Sequence, residues 1–154
     1  MDTQALRAVL APLLVKDGVS LGGLADPARA LALGWVWAGL PRTVMDERAV
    51  NVALRAQLAG AACCLATDHV ELRRWLCDAG WLDRDGYGRA YRRQPPQALP
   101  ERHRELGAAL ESVFDGQDTA AFARQCREQR TAEREARRRA HAAASGPQDA
   151  VAQA

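Results

Sequence analysis

Residues 68–80, Asp-His-Val-Glu-Leu-Arg-Arg-Trp-Leu-Cys-Asp-Ala-Gly, run directly into residues 81–93, Trp-Leu-Asp-Arg-Asp-Gly-Tyr-Gly-Arg-Ala-Tyr-Arg-Arg, and the fold turns on how this stretch is read. Thr67 or Asp68 offers a side-chain oxygen to the free N–H groups of a starting helix, and Gly80 supplies its C-terminal stop. Between them Leu72, Trp75, Leu76 and Ala79 recur at i, i+3, i+4 and i+7 and therefore share one face. The opposite face holds Val70, Arg74 and Cys77, with Arg73 at its edge. The second half reads as two short strands, Leu82 to Arg84 and Arg89 to Arg92, around an Asp85-Gly86-Tyr87-Gly88 turn. Its two glycines provide the positive φ angles that a tight hairpin needs.

Working upstream, Asp46 caps a helix through about Leu58, with Val50, Ala53, Leu54 and Leu58 on one side. The following Ala59–Ala66 segment, AGAACCLA, has no decisive period. Asp26-Pro27 reads as a cap followed by a first-turn proline, opening a helix that ends near Ala38 before Gly39 and Pro41. Within it Trp35 and Trp37 lie about 200° apart around the axis. They cannot face the same neighbour, so one meets the core and the other a further helix or a partner. Leu6, Val9, Leu10, Leu13 and Leu14 form an earlier stripe that Pro12 bends, and Asp17-Gly18 is a turn.

Downstream, three prolines between Gln94 and Pro100 mark a hinge, and Glu101 to Phe114 carries an apolar stripe of Leu106, Leu110, Val113 and Phe114 that docks on the core. After an Asp115-Gly116 turn, Asp118 caps a last helix from Thr119 to about Ala144, and 145–154 reads as a disordered tail. Three helices followed by a hairpin is the order of a winged helix-turn-helix. The expected fold is therefore mainly α with a small β-hairpin: an N-terminal helix and turn over 1–25, a winged-helix domain over 26–93, and a C-terminal helical extension over 94–144.

Composition agrees with a helical class. Ala and Leu dominate the apolar fraction and Ile is absent, which disfavours large sheets. The formal charge of +2, from 21 basic and 19 acidic residues, is far from the balance of a strongly basic nucleic-acid protein. Lys16 is the sole lysine among those cations. Cys63, Cys64, Cys77 and Cys126 form no CxxC pair and have no His at ligand spacing, so neither metal nor cofactor is expected. The N-terminal stretch lacks a basic leader, and the apolar run from Leu31 to Leu40 is too short to span a bilayer; a reducing cytoplasm and no membrane partner are expected.

If the Asp68–Gly80 helix enters a major groove, His69, Arg73 and Arg74 are placed to meet bases or phosphates. Strand alternation points Leu82 and Tyr91 inward and leaves Arg84, Arg89, Arg92 and Arg93 for the phosphate backbone. The same residues admit a structural reading. Glu71 and Asp78 stand at ion-pair spacing from Arg74, and from Asp46 to Arg93 eight arginines face seven acids. The last helix carries Arg124, Arg127, Arg130, Arg134, Arg137, Arg138 and Arg139 against three Glu and shows no sustained heptad. It reads as a phosphate-contacting arm, a dimerisation helix or a solvated helix. Two partner classes follow, duplex DNA and a second copy of the chain. No nucleophile–base spacing or phosphate-cradling glycine loop appears, which argues against an enzyme and leaves no catalytic residue to name. The expectation is a DNA-binding transcriptional regulator, with a non-enzymatic interaction or dimerisation module as the alternative.

From about Leu14 to Arg93 the chain resembles the bacterial domain of unknown function catalogued as number 2087. The resemblance rests on Leu14-Val15-Lys16-Asp17-Gly18, Glu47, Val50-Asn51, Asp68, Leu72-Arg73-Arg74-Trp75-Leu76, Asp78, Gly80, Leu82, Arg84, Gly88, Tyr91 and Arg92. The chain departs from that pattern at Met45, at Ala49, and in a longer interval between Asn51 and Asp68. The resemblance implies a winged-helix fold and a regulatory setting, and supplies no ligand or catalytic residue.

Overall fold

In the computed structural model, which describes residues 1–151, the decisive helix is α4 (His69–Asp78), preceded by α1 (Thr3–Leu14), α2 (Asp26–Ala38) and α3 (Glu47–Ala59). The hairpin strands β1 (Leu82–Arg84) and β2 (Tyr91–Arg93) follow, then α5 (Glu101–Phe114) and α6 (Thr119–Val151). The chain is thus mainly helical with one antiparallel hairpin, as its composition predicts.

The start and stop signals of α4 act locally. Asp68 Oδ1 accepts the Glu71 N–H at 2.8 Å, and Thr67 donates to the Glu71 carboxylate at 2.9 Å. At the far end Gly80 takes φ +83°, its N–H bonds the Cys77 carbonyl, and the Trp81 N–H reaches back to Leu76. This pair of reversed bonds is a Schellman ending. It turns the chain sharply enough that buried Leu76 and Trp81 enter the same core. At the hairpin tip only Gly88 is left-handed (φ +66°); Gly86 is not, so one glycine rather than the expected two carries the turn. Asp85 completes it by accepting the Arg89 N–H at 2.7 Å.

The strands register Leu82 with Arg93 and Arg84 with Tyr91. A further backbone pairing lies outside the hairpin. Met45 and Tyr91 exchange both N–H···O bonds at 2.8 Å, so the residue ahead of the α3 cap lines the second strand. Val19 forms a parallel bridge with the segment after α3, donating to Cys64 and accepting from Ala66. That pairing orders Ala59–Ala66, the segment without a decisive period.

Both tryptophans of α2 are buried. Trp35 donates to the Ala61 carbonyl at 2.8 Å and meets Phe114 edge-on, while Trp37 donates to Gln94 and packs against Trp81. The expected divergence is present, and both directions are filled from within the chain, so α2 is the central helix. Its start differs in detail: Ala25 occupies the cap and Asp26 the first turn, where Asp26 pairs with Arg29. The second strand begins at Tyr91 rather than Arg89. One cluster of buried side chains draws on all six helices and both strands, including Leu6, Trp35, Leu54, Leu76, Leu82, Tyr91, Leu110 and Ala123. Helical backbone in α6 continues past Ala144 to Val151, through part of the segment expected to be disordered. The remaining tail residues, 152–154, lie outside the described residues. No helix among the described residues is long and apolar enough to cross a membrane.

Candidate functional site

The outer surface of α4 and the hairpin brings together some of the seven residues singled out in the sequence and removes others. Arg74 projects from the exposed face of α4. Arg84 ends β1 at the hairpin turn and lines a small cleft with Val70, Arg73, Arg74, Cys77, Asp78 and Tyr91. Arg92 is exposed on the outer face of the hairpin beside Asp83, its register partner. Arg89 is exposed at the tip, its guanidinium 5.8 Å from the ring of Tyr87, which is itself 85% exposed.

Arg73 lines the same cleft but is not among the freely exposed arginines. Its side chain is 16% exposed and turns toward α3, where it donates to Asn51 at 2.6 Å and lies 3.6 Å from the Glu47 carboxylate. The guanidinium also covers the Tyr91 ring at 5.4 Å. A residue at the edge of a helical face is claimed by whichever neighbour offers an acceptor, and here Asn51 and Glu47 do so. Arg73 therefore ties α3, α4 and β2 together instead of facing outward.

Arg93 is removed more completely. It is 8% exposed, donates to the Leu40 carbonyl at 3.2 Å and the Ala38 carbonyl at 3.4 Å, and lies 4.1 Å over the Trp37 ring. Glu111 stands 3.6 Å away and gives partial charge compensation. Burial weakens its hold on the proton, followed by the nearby Arg42 charge, although a guanidinium stays charged in proteins. Its role is to close the free carbonyls at the end of α2.

His69 is half-buried and sits 3.4 Å from Arg55 of α3, close enough for a neutral ring to accept from the guanidinium. The acids on this surface remain exposed: Glu71, Asp78, Asp83 and Asp85. The Arg89 backbone N–H holds the Asp85 carboxyl below the usual carboxylate range, so the tip carries a firm negative charge between its arginines. The surface is consequently mixed in sign. Four arginines, Arg74, Arg84, Arg89 and Arg92, have freely presented guanidinium groups there with no carboxylate within salt-bridge distance among the described residues.

Behind α4 lies a feature that the sequence reading missed. Pro27, Leu33, Trp75, Ala79 and His103 line a cleft of about 570 Å³. Arg29 spans its rim, bonding the Leu21 and Leu24 carbonyls and covering Trp75 at 4.9 Å. His103 is buried and stacks on Trp81 at 4.8 Å. The signal was present: His103, Gly107, Leu110 and Phe114 repeat at i, i+4, i+7 and i+11, and all four are buried.

Residues 26–93, from the first residue of α2 to the last of β2, match the family described as "Uncharacterized protein conserved in bacteria (DUF2087)". Neither the curated proteins nor the solved structures contain a match to the chain.

Proposed function

Residues 26–93 belong to the DUF2087 family, and from that premise we propose that this segment is a winged helix-turn-helix that binds duplex DNA, in a transcription-regulating protein without enzymatic activity. The observation that carries the reading is the Met45–Tyr91 pairing. It places a one-residue antiparallel bridge between α2 and α3, giving the order helix, bridge, helix, helix, hairpin, with the bridge joined to the returning strand of the hairpin where a winged helix has its edge strand. In such a fold the helix before the wing enters the major groove and the wing contacts the flanking backbone.

The contact set is narrower than the sequence suggests. Arg74 and the start of α4 approach base edges, while Arg84, Arg89 and Arg92 meet phosphates. Arg73 orients α4 from behind. The test is fluorescence anisotropy of labelled mixed-sequence duplexes at two salt concentrations. Arg74→Ala combined with Arg84→Ala weakens binding by about tenfold or more, from about 1 kcal/mol or more per contact. Unchanged affinity in a double variant with intact helical circular dichroism refutes the assignment.

A second reading has its own support. Arg73 faces inward and Glu71, Asp78, Asp83 and Asp85 break up the positive surface, which suits a protein-interaction or dimerisation module on the same scaffold. That reading predicts no duplex binding at low salt and a stable homodimer by light scattering.

A further inference from the structure

Arg127 is the last residue of α6 that is not fully exposed among those whose burial is described. Thr119, Phe122, Ala123 and Cys126 pack on the core, and Arg127 anchors the helix by bonding Asp17 at 3.1 Å and the Lys16 carbonyl at 2.6 Å. From Glu128 to Gly146 every residue is exposed. A helix without a buried face is unusual unless something else covers it.

Its charges are not scattered. At about 100° per residue, Arg130, Arg134, Arg137, Arg138 and His141 fall within an arc of about 100° extending over about 16 Å of helix. Glu128, Glu133 and Glu135 all fall outside that arc, as does Arg139, on the far side. None of the stripe arginines has a carboxylate within salt-bridge distance among the described residues. Between Glu128 and Gly146 the only apolar residues are alanines, so the helix offers no Leu or Val seam to a second copy and no bulky residue to insert into a lipid surface. What it offers is a linear array of guanidinium groups, complementary to a linear array of phosphates. Arg127 fixes its departure point beside the Val19–Leu65 pairing, three residues ahead of the Asp68 cap of α4.

We infer that the Arg130–His141 stripe of α6 is a second nucleic-acid contact, which grips the phosphate backbone of the duplex bound by α4 and the hairpin. The inference rests on the DNA-binding reading of that segment. It is sequence-independent and makes binding steeper in salt.

The experiment uses the full chain and two charge-matched variants, Arg134→Gln/Arg138→Gln on the stripe and Arg124→Gln/Arg139→Gln off it. Affinity for a random 30-base-pair duplex is measured across a salt series by anisotropy. The stripe variant weakens binding about tenfold or more near 0.1 M salt and lowers the slope of log K against log salt by about 1.8, at about 0.9 per phosphate contact. The off-stripe variant leaves the slope within about 0.5 of the parent, because its charges reach no phosphate. Equal losses in both variants overturn the inference, since net charge alone then explains them. Full slope retained by the stripe variant while Arg74→Ala/Arg84→Ala loses binding overturns the α6 contact and leaves the α4 reading standing. No binding by the parent chain overturns both. Stripe-dependent binding to phosphatidylglycerol vesicles without duplex binding also overturns the inference in favour of a lipid surface.

Discussion

Replacing Arg93 by alanine tests the inward turn of the second strand more sharply than any DNA-binding assay. The side chain donates to two carbonyls at the end of α2, those of Leu40 and Ala38. A hydrogen bond from a charged donor contributes about 1.5–3 kcal/mol. Its stack on buried Trp37 at 4.1 Å adds about 1 kcal/mol or more. The pairing with Glu111 contributes under about 1 kcal/mol, because that carboxylate side chain is 30% open to water. Arg93→Ala is therefore expected to destabilise the chain by about 3–4 kcal/mol, a large share of the roughly 5–15 kcal/mol typical of a folded domain. With a urea m-value of about 2 kcal/mol/M, the midpoint falls by nearly 2 M. The assay is equilibrium urea unfolding followed by tryptophan fluorescence, with Arg92→Ala as companion. Arg92 is exposed on the outer face, and its loss costs under about 0.5 kcal/mol. A cost below about 1 kcal/mol for Arg93→Ala, or equal costs for the two variants, refutes the reasoning. Arg93→Lys recovers little stability, because a point charge cannot reproduce a flat stack with two directed donors.

Gly80→Ala forces a left-handed residue to carry a Cβ that would lie 2.6 Å from the Pro100 ring, so it destabilises by about 2 kcal/mol and shifts the thermal midpoint down by several degrees in a calorimetric scan. A midpoint within a degree of the parent refutes this account of the turn. Burial, with a smaller contribution from Arg102, holds the His103 pKa below the ordinary 6.5. The neutral ring is therefore favoured in the fold, and as pH drops below 6.5 the unfolded chain takes up a proton first. Stability is full above that pH and declines as pH falls through the lower folded-state pKa. The urea midpoint should drop between pH 7 and pH 5.5, and His103→Phe should flatten that drop; equal pH slopes in the two proteins count against it.

Signals carried by neighbouring residues were legible in the sequence. Asp46, Asp68 and Asp118 cap their helices as their positions suggest, each accepting an N–H three residues on. Gly80 ends α4, and Leu82 and Tyr91 face inward. Trp35 and Trp37 revealed a central helix because two large rings on opposite sides of one axis need two packing partners. The hairpin, likewise, announced itself through the Asp-Gly-Tyr-Gly tip.

The site arginines show two different ways in which such reading fails. Arg93 was legible and was misassigned. It lies two residues after Tyr91, so the alternation that buries the tyrosine turns Arg93 to the same side, and the expected phosphate contact contradicted the pattern used to find it. Arg73 was not legible in this way. A helical wheel places it at the border between faces, and its orientation is decided by Asn51 and Glu47, which belong to another helix 22 or more residues earlier in the sequence. Spacing along one element cannot reveal an acceptor that only tertiary packing brings near. The consequence for function is specific. Under the proposed reading, groove contact rests not on the paired arginines of Leu-Arg-Arg-Trp-Leu but on Arg74 alone in α4, with Arg84 beside it at the turn end of β1. A single guanidinium on that helix gives limited base selectivity. Under the proposed DNA-binding reading, affinity comes mainly from phosphate contacts, and the exposed basic stripe of α6 is the surface inferred to add to them.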